Sequence, residues 1–307
     1  MISKIDAIKK EIGKVVIGQE DMIEGLLIGL LCEGHILVEG VPGLAKTTTV
    51  KALSLALELE FKRVQFTPDL LPSDIIGAEI YDPQNNIFKI KKGPIFTQLL
   101  LADEINRSPS KVQSALLEAM QERQVTIGDK SFKLPSPFMV MATQNPLEQE
   151  GVYRLPEAQL DRFMMKLKVQ YNSEDEELDI MRRVATKSSE AISAIISSNE
   201  LDLISKEIEK VHIDPEVEKY IVALVRKTRD SNSSIRYGAS PRASIDLYKA
   251  SKAHAYLNGK DFVTPVDIVT VSYSILRHRV GLSYEARAKG ISSDDVLKDI
   301  INSVDMP

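Results

Sequence analysis

Apolar side chains in the first half of the chain form short runs that are separated by stretches of helical period. The runs predict strands at residues 35–39, 63–66, 99–102, 138–142 and 164–169. Between them, apolar side chains recur every three or four positions, which predicts helices in stretches that include residues 20–31, 47–60 and 110–123. Strands that alternate with helices are typical of a parallel sheet covered on both faces.

Two hairpins interrupt this alternation, and the pattern changes near residue 172. The hairpins are predicted near residues 80–91 and 125–134, each around a polar turn. Beyond residue 211, the stretches DPEV, SPRA and TPVD each place proline after an N-cap residue at the start of a helical pattern. We therefore predict a nucleotide-binding domain over residues 1–171, linker helices over 172–210 and a small helical domain over 211–307.

Composition narrows the function classes. The 307 residues are 43% hydrophobic and carry a net charge of −5, which gives no support for binding nucleic acid or an anionic membrane. The single cysteine, Cys32, excludes an intrachain disulfide and lies in an apolar run typical of a core thiol. No apolar run approaches the ~18 residues of a membrane span, and the first residues lack a signal-peptide core. We expect a cytoplasmic protein that meets membranes only through a partner.

Residues 40–47, GVPGLAKT, lie between a predicted strand and a predicted helix. Gly40 and Gly43 allow backbone N–H groups to turn inward, and the helix contributes its positive end to an anion. Lys46 would reach the β- and γ-phosphates of a triphosphate, and the Thr47 hydroxyl would ligate Mg²⁺. The alternative is an unrelated turn before a helix, which the flanking strand and helix disfavour.

One position departs from the common phosphate-binding pattern, because Ala45 stands where glycine usually precedes the lysine. Alanine is compatible with the loop if this residue keeps helical dihedral angles. The departure therefore weakens the match only slightly.

The stretch LLLADEIN, residues 99–106, is an apolar strand that ends in two acids. Neighbouring side chains on a strand point to opposite faces. Asp103 can therefore face the Mg²⁺ shell while Glu104 faces a water beyond the γ-phosphate and acts as its base. An acidic pair after a strand is more often a helix N-cap, but the preceding phosphate loop favours the catalytic interpretation.

Three further polar residues are candidates, each with an ordinary alternative. Asn145 follows an apolar strand and could orient the attacking water, or it could belong to a turn with Pro146. Arg162 could neutralise charge on the transferring phosphoryl group, or pair with Asp161. Arg242 lies in the first turn of a predicted helix, where a cation opposes the helix dipole unless a phosphate or a local carboxylate is near.

Taken in order, GVPGLAKT, LLLADEINR, ATQNP, LPEAQLDRF and GASPRA resemble the MoxR family of AAA+ ATPases over nearly the whole chain. The resemblance implies an α/β fold, an AAA+ P-loop αβα sandwich with a five-stranded parallel sheet, followed by a small α-helical lid. Alanine in the phosphate loop is typical of this family.

The resemblance also assigns roles by position. It implies a Walker A motif that binds ATP through Gly40, Val41, Pro42, Gly43, Leu44, Ala45, Lys46, Thr47 and Thr48. Thr47 and Asp103 become the Mg²⁺ ligands, Glu104 the Walker B base, Asn145 sensor 1, Arg162 an arginine finger for the neighbouring subunit and Arg242 a lid-borne sensor 2. The adenine would pack against Val16, Ile17 and Gly18. ATP would then bind between the sheet domain and the lid.

The same resemblance implies a homo-oligomer, a hexameric ring that acts as a chaperone-like motor on a separate client protein, with a von Willebrand factor A domain partner. The two hairpins would face the ring pore, so Ile87, Phe88, Lys89 and Ile127 are candidate client contacts, with ordinary strand alternation as the alternative. Other readings stay open: a chelatase-type subunit, a nucleic-acid motor disfavoured by the charge, or a non-enzymatic scaffold disfavoured by the intact motifs.

Overall fold

The computed structural model describes residues 2–146, 152–185, 191–230 and 233–307. Its strands are β1 Ile36–Glu39, β2 Phe61–Gln65, β3 Gly77–Asp82, β4 Ile87–Lys92, β5 Leu99–Asp103, β6 Gln124–Ile127, β7 Lys130–Lys133, β8 Met139–Gln144, β9 Met165–Lys168, β10 Ile235–Tyr237 and β11 Gly281–Leu282. Its helices are α1 Ile2–Ile12, α2 Glu20–Leu31, α3 Lys46–Ala56, α4 Pro72–Ile76, α5 Ser110–Glu122, α6 Glu157–Leu160, α7 Glu174–Ala185, α8 Ser198–Glu209, α9 Pro215–Lys227, α10 Pro241–Leu257, α11 Pro265–Leu276, α12 Tyr284–Ala288 and α13 Ser293–Asn302.

The central sheet has five parallel strands in the order β2-β5-β8-β1-β9. Alternation along each inner strand sorts its side chains into two cores. In β1, Ile36 and Val38 join the core shared with α1, α2 and α3, while Leu37 joins the core shared with α5. Burial on both faces explains why these strands read as continuous apolar runs. The sheet confirms the predicted α/β fold.

Parallel strands give the sheet two chemically different edges. The carboxyl edge is where β1, β5 and β8 end, and the amino edge is where they begin. β1 lies between β8 and β9, which come later in the chain. Ligands of open α/β sheets bind outside the carboxyl ends of the strands, where the strand order switches direction. The loop after β1 lies at this switch.

The helical lid contains α9, α10, α11 and α13, and docks beside β9. Three residues after α11 make the junction: Arg277 donates to the Lys166 carbonyl at 3.2 Å, and both His278 and Arg279 hydrogen-bond the Phe163 carbonyl at 2.9 Å. The lid helices share the core of α1 and α2. The lid also contains the short antiparallel pair β10–β11, which the sequence pattern did not predict.

Both predicted hairpins are present as the antiparallel pairs β3–β4 and β6–β7. On the first, Phe88 is 68% exposed and Ile87 48%. On the second, Ile127 is only 4% exposed, because β6 alternates between exposed and buried residues and turns Ile127 inward. Ile127 is therefore wrong as a candidate client contact, and ordinary strand alternation accounts for it.

The segment predicted as linker helices contains α7 and α8, while residues 186–190 within it lie outside the described residues. Among the helices of the described ranges, none combines the length and apolar character needed to span a bilayer.

Candidate active site

The loop from Gly40 to Ala45 joins β1 to α3 at the carboxyl edge. Gly43 has φ +90°, and a Cβ built on it would find no atom within 4 Å, so the loop is open on that side. No side chain caps the start of α3. The first N–H groups of a helix lack intrahelical partners, and with the helix dipole they favour an anion. The open loop and the uncapped helix fit a phosphate group.

Ala45 does not keep helical dihedral angles. Its φ of 53° and ψ of 15° lie in the left-handed region, where a residue with a Cβ costs about 1–2 kcal/mol. The condition that the sequence analysis set for alanine is therefore not met at this residue. The common preference for glycine here has a physical reason, and this chain tolerates the strain.

Lys46, the first residue of α3, folds back over the loop. Its Nζ donates to the Gly40 carbonyl at 2.5 Å. Partial burial lowers the pKa of Lys46, while the negative charges of Asp103 and Glu104 act in the opposite direction. The lysine therefore lies within electrostatic reach of both acids, which are on the neighbouring part of the same edge.

Thr143 organises the two acids and was missed in the sequence. Its hydroxyl donates to Asp103 Oδ1 at 2.6 Å and accepts the Glu104 N–H at 2.8 Å. Thr143 lies in β8, which pairs with β5. A polar residue near the end of an otherwise apolar strand is the signal that could have indicated it.

β2 supplies two further contacts that the sequence did not indicate. Arg63 pairs with Asp103 Oδ2 at 2.6 Å, and Gln65 Nε2 donates to Glu104 Oε2 at 2.7 Å. Arg107 pairs with the same Glu104 oxygen at 3.2 Å. Glu104 has φ 56°, so a left-handed turn rather than strand alternation sets the direction of its side chain. Both acids are thus held by polar groups on the sheet.

The remaining residues predicted for this side lie near the same edge. Asn145 directly follows β8 and is 8% exposed. The segment from Val16 to Gly18 is held by the residues that precede and begin α7: Asn172 Nδ2 donates to the Ile17 carbonyl at 3.0 Å, and a Cβ on Gly18 would collide with Asn172 and Glu176. Gly18 is therefore required by close packing.

The two predicted arginines lie at the other edge of the sheet. Arg162 and Arg242 both line a cavity of about 350 Å³ together with His35, which precedes β1. β1 has four residues, so it separates this amino edge from the phosphate loop by roughly 13 Å. Arg242 therefore does not lie beside the phosphate loop of its own chain, and its predicted contact with a nucleotide at a boundary between subunits stays a prediction.

Local contacts at the amino edge show which neighbours these arginines have within their own chain. Arg162 donates to the Leu117 carbonyl at 2.9 Å, whereas Asp161 pairs with Arg279 at 3.1 Å. Arg242 lies 3.9 Å from Asp161, so a local carboxylate does face it.

Two other features are excluded as the reactive centre. Burial raises the pKa of Cys32 to about 12, which leaves the thiol protonated. A cavity of about 510 Å³ lies between α2 and α11 and is not lined by the phosphate loop. Within the described ranges no group of three or more His, Cys, Asp or Glu residues could hold a metal. This does not bear on the two predicted ligands, Thr47 and Asp103, because Mg²⁺ usually takes few protein ligands and completes its shell with phosphates and water.

Known proteins share this arrangement. Residues 35–165 match the model of the "ATPase family associated with various cellular activities (AAA)", and residues 227–300 match the AAA lid domain. The chain is 44% identical over 305 residues to Chaperone MoxR1 of Mycobacterium tuberculosis, covering 97% of this chain and 81% of that protein. The chain belongs to the MoxR family of AAA+ ATPases.

Two further proteins are similar to this chain. The uncharacterised protein YeaC of Bacillus subtilis is 44% identical over 299 residues, covering 97% of this chain and 93% of YeaC. A crystal structure from Cytophaga hutchinsonii, assigned only provisionally as an ATPase, superposes with a TM-score of 0.94 at 51% identity, covering 100% of this chain and 96% of that one. Membership of this family implies nucleotide binding and a tendency to oligomerise.

Proposed function

We propose that this MoxR-family protein hydrolyses ATP to ADP and phosphate with Mg²⁺, and uses the energy to remodel or activate a separate client protein. One observation carries the proposal: the phosphate loop, Asp103 with Glu104, and Asn145 follow three adjacent strands at one edge of the sheet. That is the juxtaposition that phosphoryl transfer to water requires, because it places a phosphate cradle, a metal carboxylate and a base together.

The roles within one chain follow from the contacts. Lys46 and the first turn of α3 bind phosphate oxygens, and Val16 to Gly18 border the adenine of ATP. Thr47 and Asp103 hold the cation, which when bound supplies positive charge to the β- and γ-phosphates. Glu104 takes the proton of the attacking water. Gln65 and Arg107 orient the Glu104 carboxylate through the hydrogen bond and the ion pair described above.

Arg162 and Arg242 complete the site of a second copy. Both lie at the edge opposite the phosphate loop, and both present cations at a cavity open to solvent. Two different patches that meet head to tail generate a ring when the rotation closes. We propose a hexameric ring in which each protomer lends these two arginines to its neighbour. The exposed Phe88 hairpin would then meet the client in the pore, and a von Willebrand factor A domain partner would be a separate chain.

Mixing two inactive variants tests the shared site. Lys46→Ala should abolish nucleotide binding, and Arg162→Ala should lower hydrolysis at least about a hundredfold while ATP still binds. In random mixed rings about a quarter of the interfaces combine an intact loop with an intact arginine. The rate of phosphate release should therefore recover to about a quarter of the wild-type rate. No recovery in mixtures that demonstrably co-assemble would show that Arg162 does not act between subunits.

The variant Glu104→Gln tests whether Glu104 is the general base. The variant should bind ATP with near-normal affinity and hydrolyse it at least about a hundredfold more slowly, because the amide cannot accept the proton. Glu118→Gln, an exposed position on α5, is the matched control and should retain normal turnover. Normal turnover in Glu104→Gln would remove Glu104 from this role. The same variant with ATP should retain the client in a pull-down.

A further inference from the structure

α7 carries a stripe, apolar after its first residue, that is exposed among the described residues. On the outer side of the helix, Glu174, Leu178, Met181 and Ala185 follow one another at helical spacing, and we call them the α7 stripe. Met181 is 59% exposed and Leu178 is 39% exposed. Solvated helices normally keep such a face polar. The stripe therefore calls for a partner.

Polar contacts on the inner side hold α7 in place. Near its start, Asn172 and Ser173 hydrogen-bond Glu176, and near its end Arg183 donates to the carbonyls of Gly13 and Lys14 at 2.9 and 2.8 Å. Asn172 also donates to the Ile17 carbonyl at 3.0 Å, so the start of α7 adjoins the segment Val16–Gly18, which the proposed function assigns to the adenine of ATP. A surface that covers the α7 stripe would therefore lie beside that segment.

The start of α7 is strongly acidic. Glu174, Asp175 and Glu177 have no ion-pair partner within 4 Å among the described residues. Their interaction with the helix dipole accounts for acids in a first turn. The helix dipole does not account for the exposed apolar residues that follow Glu174 on the same side of α7. Charge and apolar exposure together point to a basic partner with an apolar centre.

A complementary stripe lies on α10, at the amino edge. Arg242, Ile245 and Lys249 are exposed at positions i, i+3 and i+7, and all three line the cavity that holds Arg162; we call these four residues the cation patch. Ile245 is 55% exposed. Lys249 has no side-chain ion pair within the described part of the chain.

The acids beside the cation patch make their closest ion pairs with cations outside it. Asp161 and Asp246 are both paired with the buried Arg279, and Glu33 is paired with Arg123. Among the described residues, Arg242 lies 3.9 Å from Asp161, and Lys249 lies within electrostatic range of Asp246. The patch therefore presents Arg162 and Lys249 as cations on either side of an apolar residue.

We propose that the α7 stripe of one protomer docks onto the cation patch of the next, with Leu178 on Ile245 and Glu174 facing Lys249. The spacing matches, because Glu174 and Leu178 are four positions apart on α7, as are Ile245 and Lys249 on α10. Four positions correspond to about 6 Å at 1.5 Å per residue. Since α7 adjoins the Val16–Gly18 segment, this docking brings Arg242 of one copy to the nucleotide side of the other. The inference rests on the proposed function, which supplies a second copy as the occupant.

Charge reversal tests the contact. Glu174→Lys or Lys249→Glu alone should raise the protein concentration at which ATP-bound rings form, measured by sedimentation velocity, by at least about tenfold, since close interfacial charge pairs couple strongly. The double variant should recover most of the loss. The controls are Glu218→Lys, which also removes an acid from a first helical turn, and Lys298→Glu on the exposed side of α13; neither should change assembly.

Crosslinking gives a second readout that does not depend on the strength of the contact. In a Cys32→Ala background, Glu174→Cys with Lys249→Cys should yield a ladder of disulfide-linked oligomers under mild oxidation, and more of it with ATPγS. Rings that form normally in both single reversals and give no ladder would overturn the α7 contact and leave the proposed function intact. Wild-type protein that hydrolyses ATP as fast per chain when monomeric would instead overturn the shared site, and the α7 contact with it.

Discussion

At the scale of single residues, two residues of the candidate site have left-handed backbone angles although they carry a Cβ. Ala45 has φ 53° where the phosphate loop enters α3, and Glu104 has φ 56° directly after β5. Each left-handed residue with a Cβ costs about 1–2 kcal/mol, and such strain persists where the surrounding fold over-determines it. At these two residues the fold therefore accepts a loss of stability that sets the direction of the phosphate loop and of the Glu104 side chain.

Replacing Ala45 with glycine should stabilise the nucleotide-free protein. Glycine adopts left-handed angles without the Cβ clash, but it loses more conformational freedom on folding, so the net gain in the free energy of unfolding should be about 0.5–1 kcal/mol. Ala115→Gly, inside α5, should lose about 1 kcal/mol instead. Urea unfolding measures both, and a loss in Ala45→Gly equal to that in Ala115→Gly would show that the strain is not real.

At the scale of elements, β2 acts on the site although none of its residues was a sequence candidate. Its pairing with β5 sets Gln65 opposite Asp103, and alternation then places Arg63 and Gln65 on the same face. Arg63 forms an ion pair with Asp103, the acid proposed to hold Mg²⁺. The guanidinium and the metal would therefore compete for one carboxylate.

Arg63→Met should therefore strengthen divalent-metal binding to the ADP complex. With Mn²⁺ as the probe in electron paramagnetic resonance titrations, we expect the dissociation constant to fall by about threefold, the scale of a partly exposed ion pair of ~0.2–1 kcal/mol. Lys62→Met is the matched control, because Lys62 points to the other face and donates to the Phe96 carbonyl. Weaker Mn²⁺ binding in Arg63→Met would mean that Arg63 supports the metal site.

The same elements show what a sequence can and cannot predict. The strands of the sheet, the phosphate loop and the acids after β5 were predicted because burial on both faces and glycine placement leave local patterns. Thr143, Arg63 and Gln65 were not, since their roles depend on which strands become neighbours. The position of Arg242 depends on where the lid docks, and no periodicity in the chain encodes that.

At the scale of the whole molecule, two buried histidines join the layers at the amino edge. His35 donates through Nε2 to the Met120 carbonyl and accepts the Val140 N–H through Nδ1, both at 3.0 Å, so it links α5 to β8 as a neutral ring. His278 links the lid to the sheet through the Phe163 carbonyl. Burial lowers the pKa of both, to about 4 for His35.

Acid should therefore destabilise the folded protein, because unfolding allows these two buried histidines to take up protons. The unfolded chain holds the ordinary His35 pKa of 6.5 and binds more protons than the folded chain between pH 6.5 and 4, so stability is complete above this window and is lost as the pH falls through it. A shift from 6.5 to about 4 corresponds to about 3 kcal/mol from His35. His35→Leu should lower the free energy of unfolding at pH 7, because the Met120 carbonyl and the Val140 N–H lose their partner, yet flatten its dependence on pH. An undiminished slope in urea unfolding of this variant between pH 7 and 4 would assign the acid sensitivity to other groups, and a flattened slope would identify the joint between α5 and β8 as a place where protons loosen the subunit.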